Sequence, residues 1–235
     1  MVGCPSVRRR GRRGIRRFAV FIIVAIVLVA LLAIFLYQNQ GGQTEPVVLY
    51  VNQGNGVVNG SNLGTMLSFA SSHGFNTIFF QIYRAGVLLF SRSELSSFAN
   101  QSHAQGLKIY FALYFTNSSQ LLPGAIFGLG EDGISLDVST LSLSTQESLL
   151  GDLAACHCQT AVTTTDMNSP LKPDHLVLET YGPAFQQYIR HGIIASVGVF
   201  ATTSLSDYQS QFQYALSNSD GVMVFDYAGL MKSGY

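Results

Sequence analysis

The chain has no tryptophan, only three cysteines, and few basic residues after position 17. Each scarcity excludes something. Cys4 stands far from the other two, so a disulfide framework would have only Cys156 and Cys158 to draw on. One residue between them is too short a spacing for an unstrained bridge. CHCQ also lacks the four ligands and wider spacing of a structural zinc site, so a pair of half-buried thiols at a helix-to-strand junction is expected. NQGNGVVNGSN, after the first strand-like run, has glycines without the spacing G-x-G-x-x-G, which removes a Rossmann dinucleotide. His73, His103 and His191 fall at helix ends and do not converge. The sequence calls for no metal and no cofactor.

The 13 basic and 13 acidic residues balance only in total. Arg8, Arg9, Arg10, Arg12, Arg13, Arg16 and Arg17 precede residue 18, and all the acids follow it. Six bases against 13 acids leave the rest of the chain with a formal excess of seven negative charges, which argues against nucleic acid as a partner. Directly after the arginines, 19 apolar residues run from Phe18 to Leu36, followed by Tyr37. At helical rise they cover about 28 Å, enough to span a bilayer. The adjoining hydrophobic run makes RRRGRRGIRR a topogenic cluster rather than a nucleic-acid patch. A cleaved signal peptide would have a shorter apolar core and an A-x-A site. The expected organisation is a cytoplasmic tail over 1–17, a transmembrane signal-anchor over 18–37 in contact with lipid, a polar linker over 38–46, and a domain over 47–235 outside a cell membrane crossed once. Sequons at Asn59, Asn100 and Asn117 fit that side.

Strand-like and amphipathic runs alternate through the outer domain. Eight strands are expected, over 47–53, 76–83, 107–115, 133–138, 158–164, 175–180, 193–200 and 222–227. Between them lie helical stripes such as Leu63, Met66, Leu67 and Ala70, a stretch capped at Ser91 or Ser93, a weaker one over 119–129, one opened by a box of Ser144 and Glu147, and one opened by Pro183. No full helix is expected in DMNSPLKPD. Eight strands with about six helices predict an α/β fold, a (β/α)8 TIM-type barrel lacking some helices, with an open doubly wound sheet as the alternative.

A barrel of this kind builds its site at the carboxyl ends of its strands. Asp137, Glu179 and Asp226 close the fourth, sixth and eighth expected strands, and Asp166 lies just past the fifth. Alternation turns Val177 and Glu179 inward with Leu176 and Leu178 outward, and turns Val224 and Asp226 inward with Met223 and Phe225 outward. Carboxylates gathered at one rim raise one another's pKa, as a general acid beside a carboxylate nucleophile or base requires. Tyr83, Tyr114, Tyr181 and Tyr227 also come from strand ends and offer faces on which sugars stack.

GFNTIFFQIYRAG (74–86), GLKIYFALYF (106–115) and EDGISLD (131–137) resemble strands two to four of glycosyl-hydrolase-like TIM barrels. HLVLETYG (175–182) looks like strand six of the spherulin-4-like barrels, and GVMVFDYAGL (221–230) is similar to the eighth strand of both. The resemblance covers about a third of the domain, and VSTLSLST replaces the acidic and aromatic residues that usually follow the strand-four Asp. It implies Asp137 as nucleophile or base, Glu179 as proton donor, and Asp226 as a ligand or support of substrate; the strand-end positions of Tyr83, Tyr114, Tyr181, Tyr227 and Asp166 make them expected substrate contacts as well. Glu179, dried by Leu178 and Tyr181, is expected to carry the raised pKa, while Ser135 and Ser139 hold Asp137 ionised. Two functions follow: a membrane-tethered glycoside hydrolase acting on polysaccharide or envelope glycan, or a non-catalytic barrel that binds glycan or a surface protein.

Overall fold

In the computed structural model of the protein, the described residues are 45–235 apart from 55–57, 118, 121, 182–184, 201–202 and 234–235. The expected tail, anchor and most of the linker lie outside them, as does Pro183. Among the described residues no helix is long and apolar enough to cross a membrane. Residues Glu45–Tyr235 form one compact unit.

Apolar and alternating runs form the strands β1 (Val47–Val51), β2 (Thr77–Arg84), β4 (Lys108–Tyr114), β5 (Gly133–Asp137), β6 (Gln159–Thr164), β7 (His175–Glu179), β8 (Ile194–Gly198) and β9 (Val222–Phe225). All eight pair in parallel in sequence order, and β1 closes the ring by pairing with both β2 and β9. The sheet is a closed eight-stranded barrel, not the open alternative. A two-residue strand, β3 (Val87–Leu88), folds back antiparallel on β2 through Ala85 and Gly86. Both loop residues have positive φ, 50° and 92°, the backbone of a primed hairpin turn.

Helices α1 (Leu63–Ser72), α2 (Arg92–Ala104), α3 (Leu143–Leu153), α4 (Phe185–Tyr188) and α5 (Leu205–Asn218) lie in crossovers, and α6 (Tyr227–Lys232) follows the last strand. Ser91 caps α2 in a reciprocal box with Glu94. Ser142, not Ser144, caps α3 by accepting from the Thr145 N–H, so the expected Ser144–Glu147 box does not form. The stretch 119–129 yields only a 3-10 turn at Gly124–Ile126, and 165–174 carries no helix.

Apolar side chains divide into two cores. Ile78, Phe80, Ile134, Leu136, Val222 and Val224 belong to the outer one, packed under helices. Val48, Tyr50, Phe79, Tyr110, Val177 and Met223 belong to the inner one that fills the barrel. Strand eight is therefore reversed from expectation: Met223 and Phe225 lie inward and Val224 outward. The register explains this, since Val48 aligns with Met223 and Tyr50 with Phe225, and Phe225 packs on Tyr50 at 5.1 Å between ring centroids.

At the amino-terminal rim one device recurs. Backbone N–H groups of Val47, Ile109, Thr160 and Gly192 donate to the side chains of Asn76, Asp132, Asp174 and Asp220 at 2.9, 2.8, 2.7 and 2.9 Å. Each acceptor stands just before β2, β5, β7 or β9, and each donor near the start of the preceding barrel strand. Asp132 and Asp220 also pair with His103 and His191.

Cys156 and Cys158 form a disulfide, with Cα atoms 5.3 Å apart, rather than two free thiols. His157 between them takes left-handed φ of 54°, and that turn folds the two side chains onto one another.

Gly133 shows how closely the barrel interior is filled. A Cβ there would lie 2.3 Å from Tyr110 Cε1 and 2.6 Å from the Gln159 carbonyl oxygen. Backbone cannot yield cheaply, so Gly133→Ala should destabilise by about 1–3 kcal/mol through overpacking. Gly151 in α3 faces open space, and Gly151→Ala should stabilise by about 0.5–1 kcal/mol. Urea unfolding of the two variants checks the opposite signs.

Candidate active site

β5 alternates cleanly: Ile134 and Leu136 point to the helices, so Ser135 and Asp137 point into the barrel, with Asp137 at its carboxyl end. β7 does the same with Val177 and Glu179. The two carboxylates line one cavity of about 280 Å³ at the mouth of the barrel, together with Tyr50, Gln81, Arg84 and Tyr181. Tyr114, Asn52, Ser139 and the rings of Phe200 and Phe225 complete its wall.

Burial dominates the electrostatics. Asp137 is 8% exposed and its carboxyl is pushed up to about 7, first by desolvation and then by the charge of Glu179, while hydrogen bonds from Ser139 pull it down. Glu179 is raised too, again by burial, and is held in place by the Tyr181 hydroxyl, which donates to its Oε1 at 3.2 Å. The Tyr181 oxygen also lies 3.0 Å from Ser196 Oγ. The rise expected of Glu179 is thus shared by Asp137, which was expected to stay ionised. Its seat is deeper than sequence suggested, and the Ser139 hydroxyl reaches it only at 3.4 Å. Ser135, expected to hold Asp137 ionised, has a buried hydroxyl with no protein partner. The Tyr50 and Thr163 hydroxyls are also enclosed without a protein bond of good geometry, and the Gln81 amide merely lies beside Tyr50. The Tyr50 phenol is raised well above its ordinary range by burial, with both carboxylates adding to the rise.

Of the expected site residues, Asp137, Glu179, Tyr114 and Tyr181 meet in this cavity, and four others do not. Asp226 caps α6, its Oδ1 accepting from the Gly229 N–H at 2.8 Å. It lines a neighbouring cavity of about 520 Å³ between the end of β8, α5 and α6, which shares only Phe200 and Phe225 with the carboxylate cavity. Tyr227 begins α6 and packs edge-on against Phe69 of α1, 5.5 Å away. Asp166 is exposed and accepts from the Asn168 N–H in a local turn. Tyr83 is buried in the outer core, 5.2 Å from Phe115. A β-bulge displaces it: Gln81 aligns with Ala112 but Tyr83 with Leu113, so Ile82 is an extra residue. The same bulge brings Arg84 to the cavity.

Tyr50, Gln81, Arg84, Phe200 and Phe225 were not foreseen in sequence. The inward period of β1 pointed at Tyr50, and that of β2 at Gln81. Arg84 depends on the bulge, for which FQIYRAG gives no cue, and Phe225 on the inverted face of β9.

Neither a known family profile nor a curated protein sequence matches the chain. Its fold does match solved structures. A maltogenic α-amylase from Thermotoga neapolitana aligns at 9% identity with TM-score 0.52, over 79% of this chain and 68% of that one. The GH113 β-mannanase of Alicyclobacillus acidocaldarius aligns at 8% and 0.51, over 78% and 86%. A GH18 chitinase from Flavobacterium johnsoniae aligns at 9% and 0.50, over 79% and 89%. The chain has a TIM barrel like those of these glycoside hydrolases, and at such identities the likeness is one of fold.

The raised carboxyl of Asp137 sets the sign of a stability effect. Its native pKa near 7 exceeds the unfolded value near 3.8, so the native state holds the proton more tightly, and stability falls as pH rises through that window. Asp137→Asn should melt higher than the wild type at pH 8, with the gain shrinking toward pH 4, at about 2–4 °C per kcal/mol recovered. Melting curves across pH 4–8 check it.

Proposed function

We propose that the protein is a glycoside-hydrolase-like barrel acting on polysaccharide or envelope glycan, tethered by residues 18–37 with the barrel outside the cell membrane. The observation that carries this reading is the pair Asp137 and Glu179, two inward carboxylates with raised pKa values lining one cavity at the carboxyl ends of parallel strands. The fold it shares with an amylase, a chitinase and a mannanase supports a carbohydrate ligand.

The two acids divide the chemistry by environment. Asp137, enclosed and raised to about 7, keeps its proton near neutrality and donates it to the departing glycosidic oxygen. Glu179, steadied by the Tyr181 hydroxyl, is the group that attacks the anomeric carbon or activates water there. Exposed Phe200, edge-on to Tyr181 at 5.1 Å, offers an apolar face for a sugar ring where tryptophan is missing. Because Asp137 is 8% exposed, a non-catalytic barrel that binds glycan through the same cavity is the second reading.

A polysaccharide panel assayed with the full-length chain in mild detergent separates the two. Hydrolysis is expected, with Asp137→Asn and Glu179→Gln each slower by at least about 10²-fold. The wild-type rate should fall as pH rises through about 7, when Asp137 loses its proton. Glycan binding without cleavage, unaltered by pH in that range, would transfer the assignment to the binding barrel. For the tether, the chain is expected to stay with membranes through carbonate extraction, with the barrel open to protease from outside. A carbonate-soluble chain would remove that part.

A further inference from the structure

Arg84 is a cation in a cavity whose two carboxylates do not use it. Its guanidinium carbon stands 5.9 Å from the centre of the Tyr114 ring, within cation–π range. The same head lies close to the backbone of Gly54, where a Cβ would collide with Nη1 and fall 2.6 Å from Cζ. The guanidinium makes no ion pair or hydrogen bond to any described residue. Neither carboxylate owes its shifted pKa to it, since burial, Glu179 and Ser139 account for Asp137, and burial and Tyr181 for Glu179. A fork of donors thus lines the 280 Å³ cavity with no hydrogen-bond or ion-pair partner among the described residues, in a domain otherwise short of positive charge.

We infer that Arg84 is a specificity residue that receives the carboxylate of a uronic-acid unit, so that the glycan held in this cavity is acidic. This rests on the glycoside-hydrolase-like reading and names its substrate class. Two parallel N–H···O bonds from a guanidinium match a carboxylate in both geometry and charge, which an ammonium or amide cannot reproduce. A negative domain repels an acidic polymer at long range, so recognition depends on this local charge. Gly54 is the second element: without a side chain, it leaves the guanidinium room beside the backbone.

Calorimetric titration of the full-length chain in detergent tests this with three probes: a galacturonic acid trisaccharide, a neutral mannotriose and a sulfated trisaccharide. The wild type is expected to bind the uronate trimer at least about tenfold more tightly than the neutral one. Arg84→Gln should abolish that preference, so that the variant binds the uronate trimer no more tightly than it binds mannotriose, and Arg84→Lys should recover part of it. Gly54→Ala, which dislodges the flexible arginine head without touching a strand, should also abolish it at unaltered melting temperature. Equal binding of acidic and neutral trimers, or a preference that survives Arg84→Gln, overturns the inference and leaves the carboxylate pair as a glycan site. Preference for the sulfated probe alone overturns the uronate assignment. Failure of the wild type to bind any of the three overturns this inference together with the functional reading beneath it.

Discussion

Closure of the ring through β1 is the constraint on which everything else in this molecule depends. Once β1 is hydrogen-bonded to both β2 and β9, no strand edge remains and every side chain must point into the barrel or out to the helices. That binary choice, repeated every two residues, places two carboxylates in a space where water is scarce. Their raised pKa values follow from geometry before any ligand is considered. The aromatic inner core contributes by filling the barrel beneath them: Phe79 packs on Tyr110 at 4.9 Å, and the Tyr110 hydroxyl bonds Gln159 near the bottom.

The mouth gathers unlike groups that do not cancel one another. Asp137 and Glu179 repel, and burial raises both. Arg84 sits in the same cavity but is engaged by a ring and a glycine rather than by either acid. Three hydroxyls, of Tyr50, Ser135 and Thr163, are enclosed without a protein bond of good geometry. Residues chosen for stability alone would be expected to neutralise each other, because a buried polar group without a partner costs about 1–3 kcal/mol. The energy left unrecovered here is concentrated at the carboxyl ends of the strands, where barrels place chemistry.

Much of the architecture was legible because period two is a strong pattern. Ile134 and Leu136 against Ser135 and Asp137 assigned the faces of β5 correctly, and Leu176 with Val177 and Glu179 did so for β7. The same rule failed at two places for different physical reasons. At β2 an inserted residue, Ile82, shifted the phase, burying Tyr83 outside the barrel and delivering Arg84 to the cavity. At β9 every residue of VMVF is apolar, so the sequence carried no phase, and only pairing with β1 decided that Phe225 looks inward and leaves Asp226 to cap a helix. The rise at Asp137 was missed because depth of burial is a property of the assembled ring. Cys156 and Cys158 were misjudged because a left-handed residue between them is invisible in composition.

The four amino-terminal clamps join β1 to β2, β4 to β5, β6 to β7 and β8 to β9, and no matching clamp spans the intervening seams among the described residues. The barrel is thus a ring of four two-strand staves. The second strand of each stave brings a group to the cavity: Arg84, Asp137, Glu179 and Phe225. Asp137 and Glu179 ride on neighbouring staves, so the gap between them is governed by the seam of β5 with β6, not by a clamp. Small motions at that seam would open or narrow the space between the acids while each stave stayed whole. A circular permutant cut between staves would leave each clamped pair joined by its own crossover, whereas one cut within a stave would leave that clamp holding two strands no longer directly connected.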